Sequence, residues 1–99
     1  MDPRTGHEEG GQRPGVVLSP LAYNAKTGLA LLCPVTAQIK GYPFEVVIPQ
    51  GLKVSGAVLA DQLKCVDWRA RNAAFLCEMP AEIVQAILDG IDALLHSSK

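Results

Sequence analysis

Ninety-nine residues, 48% hydrophobic with a formal net charge of −1, are enough for one small domain with a single core and too few for a cofactor-binding domain beside a substrate domain. That apolar fraction excludes a disordered chain, because it offers enough surface to offset the entropy lost on folding. The near-neutral charge excludes capture of nucleic acid by a global positive field, so any such site must be a local cluster of cations and hydrogen-bonding groups.

Residues 1–13 read as a loop, polar and glycine-rich, with the adjacent acids Glu8 and Glu9 and with Pro14 holding Arg13 extended. The start has no apolar signal-peptide core, and no apolar run approaches the roughly 18–20 residues needed to cross a bilayer, so a cytoplasmic protein without membrane association is expected. Gly15-Val16-Val17-Leu18 predicts a strand. Ser19-Pro20 then offers an N-cap and a proline at the first helical position, opening one or two turns through Leu21-Ala22-Tyr23-Asn24. After the turn Lys26-Thr27-Gly28, the continuous apolar run Leu29 to Val35 predicts a strand buried on both faces, with Pro34 marking a bulge or an edge.

Ala37 to Pro43 is a polar loop, and Phe44 to Ile48 a strand stopped by Pro49. Ala57 to Ala60 predicts another strand, and Asp61 to Val66 alternates as a half-exposed strand does. A last strand is expected over Ala73 to Cys77. From residue 80 to 96 the period changes: Ile83, Val84, Ile87, Leu88, Ile91, Leu94 and Leu95 form one stripe, with Glu82, Gln85, Asp89 and Asp92 opposite, which predicts an amphipathic helix. Cys33, Cys65 and Cys77 form no C-x-x-C pair and have no nearby histidine, so they read as reduced, half-buried packing residues; neither metal nor cofactor is expected. Short strands followed by one helix make the fold class mainly β with a C-terminal α-helix, a small and strongly bent barrel in a single domain spanning 1–99.

The string Gly6-His7-Glu8-Glu9-Gly10-Gly11-Gln12-Arg13-Pro14, running into Val16-Val17-Leu18-Ser19-Pro20, resembles the opening loop and strand of MazF/PemK-type toxins. The resemblance continues through Tyr23-Asn24, Lys26-Thr27-Gly28, Cys33-Pro34-Val35-Thr36-Ala37-Gln38, Lys40-Gly41-Tyr42-Pro43-Phe44-Glu45-Val46, Ala60-Asp61-Gln62-Leu63-Lys64 and Asp67-Trp68-Arg69-Ala70-Arg71. It implies a dimeric SH3-like (CcdB/PemK-like) barrel, a MazE-like antitoxin that blocks the active groove, and metal-independent cleavage of single-stranded RNA at a short base sequence. Two alternatives stand beside that reading: a non-catalytic barrel that binds an antitoxin or DNA gyrase, and an N-terminally truncated, inactive toxin. The family usually has an apolar strand before the loop, whereas Asp2-Pro3-Arg4-Thr5-Gly6 matches the link after it. The expectation is therefore a barrel lacking its usual first strand, with unpaired edges beside the gap and a true start upstream.

RNA cleavage without a metal uses the 2′-hydroxyl as nucleophile and needs a proton acceptor, a donor to the leaving 5′-oxygen, and stabilisers for the charged phosphorane. Arg13 suits a phosphate bidentately and matches the family's catalytic arginine. Thr36 matches its catalytic threonine, and Glu8 an acidic loop residue that would accept the 2′-hydroxyl proton or hold Arg13 in place. Gln38, Lys40, Asp61, Gln62 and Lys64 match segments that line the RNA groove, with Gln62 suited to a base edge and Lys64 to a phosphate. His7 reads as a solvated loop histidine and His96 as part of a frayed tail. Phe44 and Trp68 suit either base stacking or the core, and Asp67 to Arg71 either a phosphate-tracking patch or a solvated hairpin, the latter preferred.

Overall fold

The apolar run expected as a strand becomes the spine of the molecule. The computed structural model describes residues 4–7 and 13–96. Strands β1 (Arg4–His7) and β2 (Pro14–Val17) precede helix α1 (Leu21–Thr27); β3 (Leu29–Thr36), β4 (Glu45–Val47) and β5 (Ala57–Leu59) lead to a 3-10 turn (Ala60–Gln62); β6 (Lys64–Asp67), β7 (Ala74–Glu78) and helix α2 (Ala81–Leu95) complete the order. β3 pairs antiparallel with β2 on one side and with β5 and β6 on the other. β5 and β6 are one extended partner of β3, interrupted by the 3-10 turn, across which the pairing register steps by three residues. Asp61 and Gln62, expected within a strand, thus leave the ladder. The buried Cys33 lies beneath this break, its thiol 3.8 Å from the Ala60 carbonyl oxygen.

The strand order is β4-β5-β3-β2-β1-β7 with β6 also on β3, and among the described residues β4 and β7 are not paired with each other. The result is a bent, SH3-like antiparallel sheet with the C-terminal helix against it. Arg4–His7, expected as part of a loop, runs antiparallel to β2 and to β7, with a register shift between Thr5 and Gly6. Both of its neighbours, β2 and β7, are thus paired along it. Main-chain pairing needs only unsatisfied N–H and C=O groups on the neighbours, which a polar, glycine-containing segment can meet without any apolar period to announce it.

One face of the sheet holds the core. Val16, Cys33, Val35, Val58 and Ala60 meet Val84 and Ile87 of α2, with Ile48, Val54 and Met79 closing the cluster. Gly90 lets the helix come close, since a Cβ there would stand 3.3 Å from the Ala60 side chain. Leu88, Leu94 and Leu95, on the same predicted stripe, remain exposed, Leu95 by 76%. The cysteines are free, but only Cys77 is half-buried; Cys65 is exposed because it points outward from β6.

On the opposite face lies α1. Ser19, expected as its N-cap, makes no capping bond, and Pro20 occupies that position. The buried Ser19 hydroxyl instead donates to Asn24 Oδ1 at 2.5 Å and accepts the Leu31 amide at 2.9 Å, while the Asn24 side-chain amide donates to the Ser19 carbonyl at 3.3 Å. Burial explains the change of role: a polar pair enclosed between helix and sheet must satisfy itself and the β3 edge.

Candidate functional site

The side-chain alternation of a strand decides which residues share a face. On β2 and β3 the core takes Val16, Cys33 and Val35, so Gly15, Val17, Ala30, Leu32 and Pro34 must face the other way. They floor a groove of about 370 Å³ together with Val66 of β6. One wall is α1, through Leu21, Asn24 and Ala25; the other is the β6–β7 hairpin with Trp68, Arg71 and Ala73, and Phe75 of β7. Gly15 keeps the floor shallow, because a Cβ there would meet a Leu32 methyl at 3.0 Å and the Cys33 carbonyl at 3.3 Å.

Arg13, Lys64 and Arg71 give this apolar trough cationic groups, and Gln62 adds an amide. Lys64 is placed by its pairing with Leu32. Arg13 is placed by β2: the register Gly15 to Pro34 and Val16 to Cys33 sets the start of β2, which Arg13 precedes, beside the end of β3 that carries Thr36. A guanidinium and a hydroxyl thus sit at adjoining strand ends, at the mouth of a groove with cations along it.

Thr36 is half-buried and its position is fixed from two sides. Its Oγ1 accepts the Gln38 amide at 3.1 Å, which bends the chain out of β3 into the loop carrying Gln38 and Lys40, both exposed. Just before β5, Gly56 takes φ 114° and lies so near that a Cβ would stand 2.0 Å from the Thr36 carbonyl oxygen. Asp61 is exposed on the 3-10 turn beside Cys33, whose thiol is pushed up to about 11, by burial first and by the Asp61 charge second.

The hairpin wall is held firmly. The Trp68 indole N–H donates to the Asn24 carbonyl at 3.0 Å, the Arg69 guanidinium lies 5.0 Å from the Trp68 ring centroid, and it donates to the Ala25 carbonyl. Within the turn the Ala70 amide donates to Asp67 Oδ1 at 2.9 Å, the Ala73 amide to the Trp68 carbonyl at 3.0 Å, and Asn72 takes the left-handed φ of 54°. The stretch preferred as a solvated hairpin is therefore pinned to α1 by Trp68 and Arg69, and Trp68 and Arg71 face the groove.

Of the residues singled out in the sequence, the groove brings together Arg13, Gln62 and Lys64, with Thr36 two residues beyond Pro34 of its floor. Gln38 and Lys40 lie on the loop beyond Thr36, and Asp61 sits next to Gln62 without lining the groove. Glu8 lies outside the described residues. Sequence reasoning missed Leu21, Asn24 and Arg71 as groove residues; the two arginines of Trp68-Arg69-Ala70-Arg71 were the available signal, but which of them turns inward depends on the hairpin fold.

Residues 1–95 match the PemK-like, MazF-like toxins of type II toxin–antitoxin systems. The chain is 49% identical over 95 residues to the endoribonuclease toxin MazF of Escherichia coli strain K12, covering 96% of this chain and 85% of that protein. It is 31% identical over 100 residues to the endoribonuclease PemK of Escherichia coli, covering 96% and 74%. In three dimensions it resembles MazF in a MazE–MazF crystal structure from Deinococcus radiodurans, with a TM-score of 0.91, 47% identity, and coverage of 96% of this chain and 93% of that one.

Proposed function

This chain belongs to the PemK-like, MazF-like toxins of type II toxin–antitoxin systems and is an endoribonuclease toxin; from that premise we propose that it cuts single-stranded RNA at a short base sequence, without a metal, by attack of a 2′-hydroxyl on the adjoining phosphate. What supports this is the groove that brings Arg13 together with Gln62 and Lys64, with Thr36 at the end of β3, the strand that floors it.

Each group has a step. Glu8 takes the 2′-hydroxyl proton, and the 2′-oxygen forms its bond to phosphorus. The Arg13 guanidinium pairs with the non-bridging oxygens as charge accumulates on them. Thr36 Oγ1 accepts the Gln38 amide at 3.1 Å and donates to the Gln38 carbonyl over a long 3.5 Å contact, which its hydroxyl hydrogen gives up for a phosphate oxygen when RNA binds. The bond from phosphorus to the 5′-oxygen breaks and that oxygen takes up a proton from solvent water, leaving a 2′,3′-cyclic phosphate and a 5′-hydroxyl. Gln38, Asp61 and Gln62 read base edges, while Lys40 and Lys64 hold the backbone.

The toxin works in the cytoplasm as a homodimer, the exposed leucines 88, 94 and 95 of α2 being apolar surface that a second copy would cover. Its MazE-like antitoxin lays an acidic, apolar-anchored segment along the groove, matching the Val17, Leu32 and Val66 floor and the cations above it.

The test incubates purified protein with a long single-stranded RNA in EDTA, beside Arg13→Ala. Discrete cuts with cyclic phosphate ends are expected from the wild type alone. Arg13 is exposed, so the variant should fold as the wild type does. Cleavage by Arg13→Ala at the wild-type rate would remove Arg13 from the mechanism, and no cleavage by folded wild type would replace the nuclease with a binding role.

A further inference from the structure

The loop between β3 and β4 carries Gln38 and Lys40, yet before Phe44, which packs against the core, its residues 37–43 are all exposed and apolar packing does not hold them. Ala37, Gln38 and Lys40 are exposed, as are Ile39 at 51% and Tyr42 at 62%. An exposed segment of this kind would sample many conformations, and residues meant to read a base would then pay an ordering cost at each encounter. Two hydrogen-bonded anchors prevent this. At its start, the Gln38 amide is tied to Thr36 Oγ1. At its end, Glu45, the first residue of β4, folds its carboxylate back into the loop: Oε1 accepts the Lys40 amide at 3.0 Å and the Gly41 amide at 2.8 Å, and Oε2 lies 3.3 Å from the Lys40 amide. Gly41 takes φ 80°, which turns two successive amides toward one point. The Glu45 amide also donates to the Tyr42 carbonyl at 3.1 Å, closing the turn.

We propose that Glu45 is a positioning residue: its carboxylate clamps the backbone of Lys40 and Gly41 so that the Gln38 and Lys40 side chains stand fixed beside Thr36 and the RNA strand. The inference rests on the nuclease reading above. Glu45 touches neither substrate nor the reacting atoms in this scheme; it acts through the loop. Charged acceptors make the stronger backbone bonds, and two amides share this one. Loss of the clamp therefore weakens productive RNA binding and blurs base choice, while the chemical step at Arg13 and Thr36 is left intact.

The experiment compares wild type, Glu45→Ala and Glu45→Gln. The glutamine carbonyl oxygen can accept both amides from the position of Oε1, so it separates the clamp from the charge. Cleavage of a defined single-stranded RNA is measured for kcat and KM separately, with cut sites mapped on a long RNA and amide hydrogen exchange followed at Lys40 and Gly41. Glu45→Ala should raise KM about tenfold, as expected for losing a charge-assisted bond, with kcat unchanged, relaxed cut-site choice and fast exchange at both amides. Glu45→Gln should restore slow exchange, low KM and wild-type cut sites. Wild-type KM and cut sites in Glu45→Ala, or a loss of kcat alone, overturn the positioning role. Absence of cleavage by the wild type overturns the nuclease reading instead, and slowed exchange at Lys40 and Gly41 in that same wild type then leaves Glu45 as a structural clamp only, which also ends the proposal.

Discussion

Replacing Gly56 by alanine probes the seat of Thr36 directly. The added methyl would lie 2.0 Å from the Thr36 carbonyl oxygen, 3.0 Å from its carbonyl carbon and 3.3 Å from the Ala37 Cα, all of them backbone atoms that cannot rotate away. Ordinary carbon–oxygen contacts begin near about 3.3 Å, so β5 and the end of β3 must part by roughly an ångström. The φ of 114° adds about 1–3 kcal/mol of backbone strain for a residue with a side chain. A displacement of that size at a group holding the phosphate lowers turnover by about a hundredfold. Gly51→Ala is the matched control, since Gly51 has φ 98° but nothing within 4 Å of its Cβ, and it carries the strain without the clash. Urea unfolding and single-turnover RNA cleavage are measured on both variants. Both should lose stability, Gly56→Ala the more, and only Gly56→Ala should lose cleavage while still folded at low urea. Gly56→Ala cleaving at the wild-type rate, or Gly51→Ala losing as much activity, would refute the steric account of how Thr36 is placed.

Ser19→Ala strips the buried network under α1, leaving the Leu31 amide and Asn24 Oδ1 without the partner they have now. It should lower the unfolding free energy by about 2–3 kcal/mol, read by chemical denaturation, and an unchanged midpoint would mean that the helix is held by its other contacts. The raised pKa of Cys33 fixes a sign for alkaline stability: the thiol is neutral in the folded protein up to about 11, against 9.0 for the free group. Its contribution is fully present below pH 9 and is lost as pH rises from 9 toward 11, because the unfolded chain ionises first. Cys33→Ala should flatten that part of the stability–pH curve, and iodoacetamide at neutral pH should modify the exposed Cys65 ahead of Cys33.

The sequence alone determined the mainly β architecture, the C-terminal helix and the long central strand, because these rest on apolar period and length, which are local. It also marked Arg13, Thr36, Gln62 and Lys64, through a chain-long resemblance and through residue types suited to a phosphate. It did not reveal the strand Arg4–His7, whose formation depends on open main-chain groups of β2 and β7 far along the chain. Nor did it reveal that Ser19 serves Asn24 and Leu31 rather than the helix end, or that Asp61 and Gln62 leave the ladder over Cys33. The groove itself was equally out of sight: Trp68 and Arg71 become its wall only when the hairpin folds back and the indole finds the Asn24 carbonyl. Side-chain chemistry is written residue by residue, but which groups share a face and which backbone amides are left for Glu45 to bind is settled by pairing between distant segments, and so belongs to the tertiary structure.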